Sequence, residues 1–420
     1  MIYTMPDSEH PMPGQAHVWD GEKWVPLMTN PYPEVVLPSI FTKGHYLGRG
    51  TVWQRDASKM PLAENSAEMA DWMWRNRVDP WGRTGDGKYI AAKSGAVTGT
   101  SLNRSSNPSS TCPIALHVVD SSHPNCKFID MDATSGFPAM PKAEVDPIAR
   151  RIPWPDFTRP AINGDEGLAI WDVATGVMRE FFGVKKKPGG GWSGTIGYSI
   201  ARPGLQHLAE DNYGTQLQGG SSAVVRMHNA LGFIGISEVR AGEIDHALAF
   251  TFGAVAKGNA PSWPASGTDG KSPESEKGNS PVHGQWGRVK ASVDPMHNPR
   301  TGQPYHPLTR MLIRAAQKYG VVGTDTNSWV HAFNVEDGNT EKAFFGEDPW
   351  VDAGPRGLAA WIADVYKIDP RDAFDISDFP WDQTEWAPVD WGRPDVDFIR
   401  RTSDANNWRR DRAERGLVSQ

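Results

Sequence analysis

Cysteine is almost missing: Cys112 and Cys126 are the only two in 420 residues, so no disulfide framework can hold the fold. The pair leaves two readings open, buried thiols or a single bridge formed in a particle that has left the cell. Long apolar runs are missing too. No stretch approaches the roughly 20 residues needed to cross a bilayer, and the opening MIYTMPDSEH carries neither the basic nor the apolar region of a secretory signal. The expectation is a chain made in a cytoplasm, with no membrane insertion. An excess of basic charge is also lacking, with 43 Lys and Arg against 50 Asp and Glu and a formal charge of -7. Nucleic acid, which calls for a basic patch, is therefore not an expected partner. No Gly-Lys-Ser/Thr phosphate loop and no Gly-x-Ser-x-Gly elbow occurs. His283, His297 and His306 lie in a Pro/Gly-rich region without zinc spacing, so neither metal nor cofactor is expected.

What is abundant is turn chemistry and tryptophan. The chain holds 43 Gly, 34 Pro and 18 Trp at a mean hydropathy of -0.52, which points to mostly β structure with short elements. In residues 11–27, Asp20-Gly21 lies between two aromatic-bearing runs, a strong hairpin signal. Residues 66–78 predict a short helix capped by Ser66, with Met69, Trp72 and Met73 on one face. "CPIALHVVD" and "KFIDMDA" predict strands. "GLAIWDVATGVMREFFGV" predicts a hairpin whose turn uses Asp172, Thr175 and Gly176. Residues 231–252 predict a short helix capped at Ser237 and ended at Gly242, then a strand from Glu243 to Phe252. "HPLTRMLIRAAQKYGVV" is the clearest helix, with a stripe from Leu308 to Tyr319 that Gly320 stops. A strand, a turn at 325–328 and a second strand follow it, and residues 356–366 read as a further helix. Beyond, Trp381, Trp386 and Trp391 recur five apart among Pro and Asp, fitting no helix or strand period. That pattern predicts an arm lying against another surface, with Trp408 in the same tail. The expected division is 1–40, a hairpin and attachment segment; 41–346, the β domain; and 347–420, a Trp-rich assembly arm.

The stretches "EVRAGEIDHALAF", "PSWPASGTDG", "GQWGRVKASVD" and "LTRMLIRAAQKYGVVGTDTNSWVHAF" resemble, in order and spacing, an uncharacterised bacterial family found in actinobacteria and their phages. The resemblance covers roughly residues 110–340, and "GLAIWDVATGVMREFF" is similar to that family's Asp-x-x-Thr-Gly hairpin. "VWDGEKWV" looks like the short β elements of bacteriophage tail and fibre proteins. These resemblances imply a jelly-roll-like β-sandwich with a few short helices. They also imply a minor tail protein of an actinobacteriophage virion, made in the host cytoplasm and assembled with other tail proteins as a homo-oligomer, either a closed ring or a trimer. Host cell-wall polysaccharide is the expected ligand, with a glycan-degrading enzyme or a stand-alone lectin as the alternatives. The resemblance carries over no catalytic residues.

Candidate sites follow from residue type and context. If 243–252 is one strand, alternation puts Glu243 and Asp245 with the small residues and His246 with the apolar ones. His246 then reads as a core residue that ties down the preceding helix. Glu243 and Asp245 read as a solvated strand edge or, in an enzyme, as the paired carboxylates of glycoside cleavage. Trp192, Trp263 and Trp286 stand beside Gly or Pro, where an indole can face a sugar or a partner, with Arg226 and Asp269 as polar companions. Their alternative is packing of loops onto the sandwich. Trp381, Trp386, Trp391 and Trp408 are the candidate assembly contacts. Asp130 and Asp132 share a strand face but lack the further oxygens of a calcium loop, and "KKKPGGGWSG" reads as a flexible loop presenting Trp192.

Overall fold

The computed structural model describes residues 2–4, 16–19, 24–26, 51–77, 100–104, 114–133, 151–156, 158–162, 165–172, 174, 177–194, 200–201, 223–225, 227–253, 260–265, 267–270, 279–327 and 330–393. Within them the chain is built mainly from β-sheet, with eighteen short strands and five α-helices. The strands flanking Asp20-Gly21 pair, the two turn residues themselves lying outside the described residues: β1 (Ile2–Thr4), β2 (Ala16–Trp19) and β3 (Trp24–Pro26) make an antiparallel sheet in which Trp19 pairs with Trp24. In α1 (Ser66–Arg75), Met69, Trp72 and Met73 are buried together as the stripe predicts. Ser66 does not cap it. Asn65 holds the cap position without a capping bond to the first turn, and the Ser66 hydroxyl accepts from the Trp386 N–H at 2.8 Å instead.

In chain order there follow β4 (Ser101–Asn103), β5 (Ile114–Val119), β6 (Phe128–Ile129), β7 (Asp132–Ala133), β8 (Ile152–Pro153), β9 (Gly167–Asp172), β10 (Val177–Phe181), β11 (Lys185–Lys186), β12 (Trp192–Gly194) and β13 (Ile200–Ala201). Then come α2 (Ile236–Ala241), β14 (Leu248–Phe252), β15 (Trp286–Val289), α3 (Pro307–Lys318), β16 (Val321–Thr326), β17 (Ala332–Asn334), α4 (Asn339–Phe345), α5 (Leu358–Tyr366) and β18 (Thr384–Trp386). The predicted β9–β10 hairpin is in register, with Val177 opposite Asp172. On α3 the stripe from Leu308 to Ala316 is buried.

Two sheets carry the architecture. The larger runs β18-β15-β16-β14-β17-β4 and the smaller β13-β10-β9-β5. They share a core in which Ile114, Leu116, Val118, Ala169, Trp171 and Met178 of the smaller sheet meet Ala247, Ala249, Trp286 and Val322. The other face of the larger sheet is covered by α1, α3 and α5 through Trp72, Met73, Leu308, Leu312, Leu358 and Ile362. Both sheets are mixed: β14 pairs parallel with β16, β17 with β4, and β5 with β9. A jelly roll is an antiparallel architecture, so these pairings depart from it.

The expected arm is part of this core. Trp381 and Trp386 are 0% exposed. Trp381 stacks on Phe333 with ring centroids 5.5 Å apart and donates from Nε1 to the Thr100 hydroxyl at 2.7 Å. Trp386 sits in β18, the edge strand beside β15, where Gly287 lets the indole approach: a Cβ there would lie 2.9 Å from it. Upstream, Arg240 and Arg356 both grip the largely buried Glu341, at 2.9 and 2.7 Å. Trp350, Leu358, Ile362 and Phe379 join the same cluster as β14, so no boundary falls at 347. The five-residue spacing reflects tertiary docking at irregular intervals, each indole reaching a different element. Trp391 is half-buried, and Trp408 lies outside the described residues. Trp381→Ala is expected to cost about 3–5 kcal/mol, read as a lower urea midpoint; an unchanged midpoint would mean that the segment is not part of the folded core.

Candidate functional site

The strand expected from Glu243 begins only at Leu248. Gly242 takes a left-handed φ of 73° and closes α2, and residues 243–247 form a connecting segment in which Ala247 N–H bonds the Trp53 carbonyl at 2.6 Å. The α2 cap also differs from expectation, since Gly235 precedes the helix, Ser237 lies within it, and the Glu238 carboxylate accepts from Gly235 N–H at 2.9 Å. His246 is fully buried and binds Glu238 through Nε2 at 3.1 Å and the Ala247 carbonyl through Nδ1 at 2.8 Å. It ties α2 to β14, as a core histidine should. Burial depresses its pKa, but the Glu238 charge and hydrogen bonds outweigh that and leave it raised.

Glu243 and Asp245 line a cleft of about 250 Å³ between this crossing loop and α3. Opposite them stand Arg314 and Lys318, one turn apart on the helix, while Ile244, Met311 and Tyr319 supply apolar surface. The Lys318 ammonium lies 4.9 Å from the Tyr319 ring centroid. Its pKa is raised by the hydrogen bond to Tyr319 and by the charge of Tyr319, and further by the charges of Asp245 and Asp56. Two acids therefore face two cations over an apolar floor. The small-residue strand face is closed, because Ala247 and Ala249 pack on the smaller sheet.

A second constellation gathers at the carboxyl end of β16, the end of a parallel strand where open α/β sheets hold ligands. The Asp269 carboxylate accepts from the Thr326 hydroxyl at 2.9 Å. His283 is buried with Nε2 at 3.6 Å from Asp269 and 3.4 Å from the Thr326 hydroxyl, while Nδ1 meets the Thr268 hydroxyl at 2.8 Å. Burial pulls the His283 pKa down against the charge of Asp269. Beside it, burial and the charge of Asp269 push the Asp325 carboxyl well above its ordinary range, although Val224 and Thr326 N–H groups bond it at 3.1 and 2.8 Å. The buried Asp325 carboxyl and the 43% exposed Asp269 thus meet at the same residue, Thr326, one through its N–H and the other through its hydroxyl.

The other candidates are placed as follows. Trp263 and Trp286 are 3% and 1% exposed and present no face to solvent. With Trp391 they surround the Arg55 guanidinium, at 5.6, 4.5 and 3.7 Å from the ring centroids. Burial among these rings lowers the Arg55 pKa to about 9. These indoles serve as a cation clamp, not a sugar platform. Trp192 remains half-exposed, Arg226 lies outside the described residues, and Asp269 joins the β16 constellation rather than a tryptophan cleft. Cys126 is a buried thiol whose pKa burial raises; Cys112 lies outside the described residues. Asp130 is exposed, and among the described residues no three His, Cys, Asp or Glu side chains are placed to hold a metal ion.

Neither family models, nor curated proteins, nor solved structures show a match to this chain. The two constellations therefore stand on their geometry. Asp325→Asn tests the second. A carboxyl whose folded pKa is raised contributes stability below its unfolded value, near 3.8, and loses it as pH rises through the folded value. The variant removes that loss, so its urea midpoint relative to the native chain is expected to climb between pH 4 and pH 8. A difference that stays constant across that range would mean that Asp325 ionises normally.

Proposed function

We propose that the protein is a structural component of a bacteriophage tail that engages a glycan of the host cell envelope. The observation that carries the binding half of this reading is the cleft of Glu243, Asp245, Arg314 and Lys318. Sugars offer hydroxyl groups that both donate and accept, together with apolar C–H faces. A charge-balanced ring of planar and flexible polar groups around an apolar floor suits them without requiring a charged ligand. The tail half is supported by the resemblances of the central stretches and of "VWDGEKWV". The β1–β3 sheet is the attachment element in this reading, because Trp381 and Trp386 are occupied within the fold. Assembly with other tail proteins, a closed homo-oligomer and a place in the virion belong to the same proposal.

A second reading, a glycan-cleaving enzyme, is favoured by Asp325 and Asp269 rather than by Glu243 and Asp245. In it Asp325 would protonate the leaving oxygen, and Asp269 would take the proton of the attacking water.

The test incubates the purified full chain with fragmented actinobacterial cell wall and reads bound protein and released oligosaccharide from one tube. Retention without release is expected. Glu243→Gln and Arg314→Ala should each weaken retention by about tenfold, about 1.4 kcal/mol, with thermal stability unchanged because both lie at the cleft rim. Failure to bind, or binding indifferent to both substitutions, would overturn the glycan reading of the cleft. Release that Asp325→Asn and Asp269→Asn abolish would establish the enzyme. For the tail half, particles assembled with a chain lacking residues 1–40 should omit the protein; normal incorporation would remove the attachment role of that segment.

A further inference from the structure

On α3, Arg310, Arg314 and Lys318 follow one another at four-residue intervals and so share one face of the helix. Their surroundings differ. Lys318 is exposed, and the charges of Asp245 and Asp56 act on it. Arg310 is half-buried and occupied within the fold, its Nε donating to the Tyr305 carbonyl at 2.8 Å and its guanidinium lying 5.3 Å from the Tyr366 ring centroid. Arg314 stands between them, exposed and lining the cleft. Among the described residues it forms no ion pair.

Burial lowers the Arg310 pKa, Tyr366 and Asp378 oppose that, and the charge of Arg314 adds to it. Two like charges one turn apart repel. Arg310 has an internal bond that offsets this, whereas Arg314 has none of that kind among the described residues. A surface arginine that only solvates its helix needs no cleft around it; this one lies on the cleft wall beside Met311 and Ala315, facing the loop of Glu243 and Asp245. Tyr366, whose hydroxyl is 3.8 Å from the point a Gly242 Cβ would take, joins the Arg310 side to the cleft wall at Gly242. Charge is therefore uneven along the cleft, with carboxylates acting on Lys318 and a second cation behind Arg314.

We infer that Arg314 is the specificity-determining residue of the cleft and reads an acidic group, carboxylate or phosphate, on the glycan. This role deepens the envelope-binding reading of the cleft and rests on it. The planar guanidinium matches two oxygens of such a group at once, and Arg310 adds positive charge one turn away. Glu243 accepts from the sugar hydroxyls, and Ile244 and Met311 cover the apolar ring face. A neutral sugar makes the second set of contacts only.

The test uses the full chain and oligosaccharides released from actinobacterial cell wall. Their acidic pool, taken by anion exchange, is offered untreated, carboxyl-reduced, stripped of phosphate, and after both treatments. The untreated pool should bind about tenfold more tightly than the doubly treated one, about 1.4 kcal/mol, and whichever single treatment removes the preference names the acid. Arg314→Gln should bring the two Kd values together, and Arg314→Lys, which keeps the charge without the fork, should keep part of the difference. Arg314 is exposed, so both variants are expected to unfold at the native temperature. Glu243→Gln removes a negative charge from the same cleft and should weaken binding of both forms while keeping or widening the difference between them. Equal binding of both forms by the native chain overturns the role of Arg314 and leaves the glycan cleft standing. So does a preference that survives Arg314→Gln, or one that Glu243→Gln abolishes as fully. Binding of no form at all overturns the cleft reading and the role of Arg314 with it.

Discussion

The parallel pairing of β14 and β16 is the constraint on which the rest of the molecule depends. Their ladder runs from Leu248 beside Val321 to Phe252 beside Thr326, with a bulge between Phe250 and Thr251. A parallel pair needs cover on both faces, and this one has it. Leu248, Phe250 and Phe252 point into the helical side, while Ala249 and Val322 point toward the smaller sheet. Parallel strands also need a long connection, which here contains β15 and α3. The candidate cleft and the β16 constellation both follow from that path: one lies where the chain enters β14 beside α3, the other where it leaves β16.

The bulge coincides with a buried polar seam. Thr251 accepts from Asn103 and Asn327 through its hydroxyl at 2.9 and 2.7 Å, and Asn103 also donates to Asn334 at 2.7 Å. All four residues are at most 3% exposed. Each such bond contributes about 1 kcal/mol, and losing one member strands its partners at about 1–3 kcal/mol each; Asn103 Oδ1 itself is buried without a partner. It holds β4, β14, β17 and the turn after β16 in one register. That turn leads out of the strand whose end carries Asp325 and Thr326, so the same seam fixes where those two side chains stand.

Much of the local structure was legible in the residues. The α3 stripe, the pairing of β9 with β10 and the core role of His246 follow from period and turn chemistry, which act over a few residues; Thr175 and Gly176 of the expected turn lie outside the described residues. Expectations failed where tertiary structure decides, as three cases show. Glu243 to Ala247 alternates like a strand, yet after the left-handed Gly242 the strand starts only at Leu248. Trp381 and Trp386 look like free anchors because their spacing is aperiodic; each is instead seated by a distant group, Thr100 for one and Ser66 for the other. Asp269, His283 and Asp325 lie far apart in sequence and share no motif, so only the fold brings them together. A hint was present in the adjacent Thr-Asp pairs at 268–269 and 324–325, each beside a strand or turn boundary.

The seating of β18 against β15 bears on how the chain is made. A strand that leaves the ribosome early finds its last neighbour about a hundred residues later, since β15 ends at Val289 and β18 starts at Thr384. Until then the β15 edge is bare, and bare edges recruit other chains. Newly made protein should therefore be most prone to aggregate while synthesis passes from β16 to β18, and a pause or early stop there would release a chain with an open sheet. The strand that covers the β15 edge is therefore among the last of the described elements to be made.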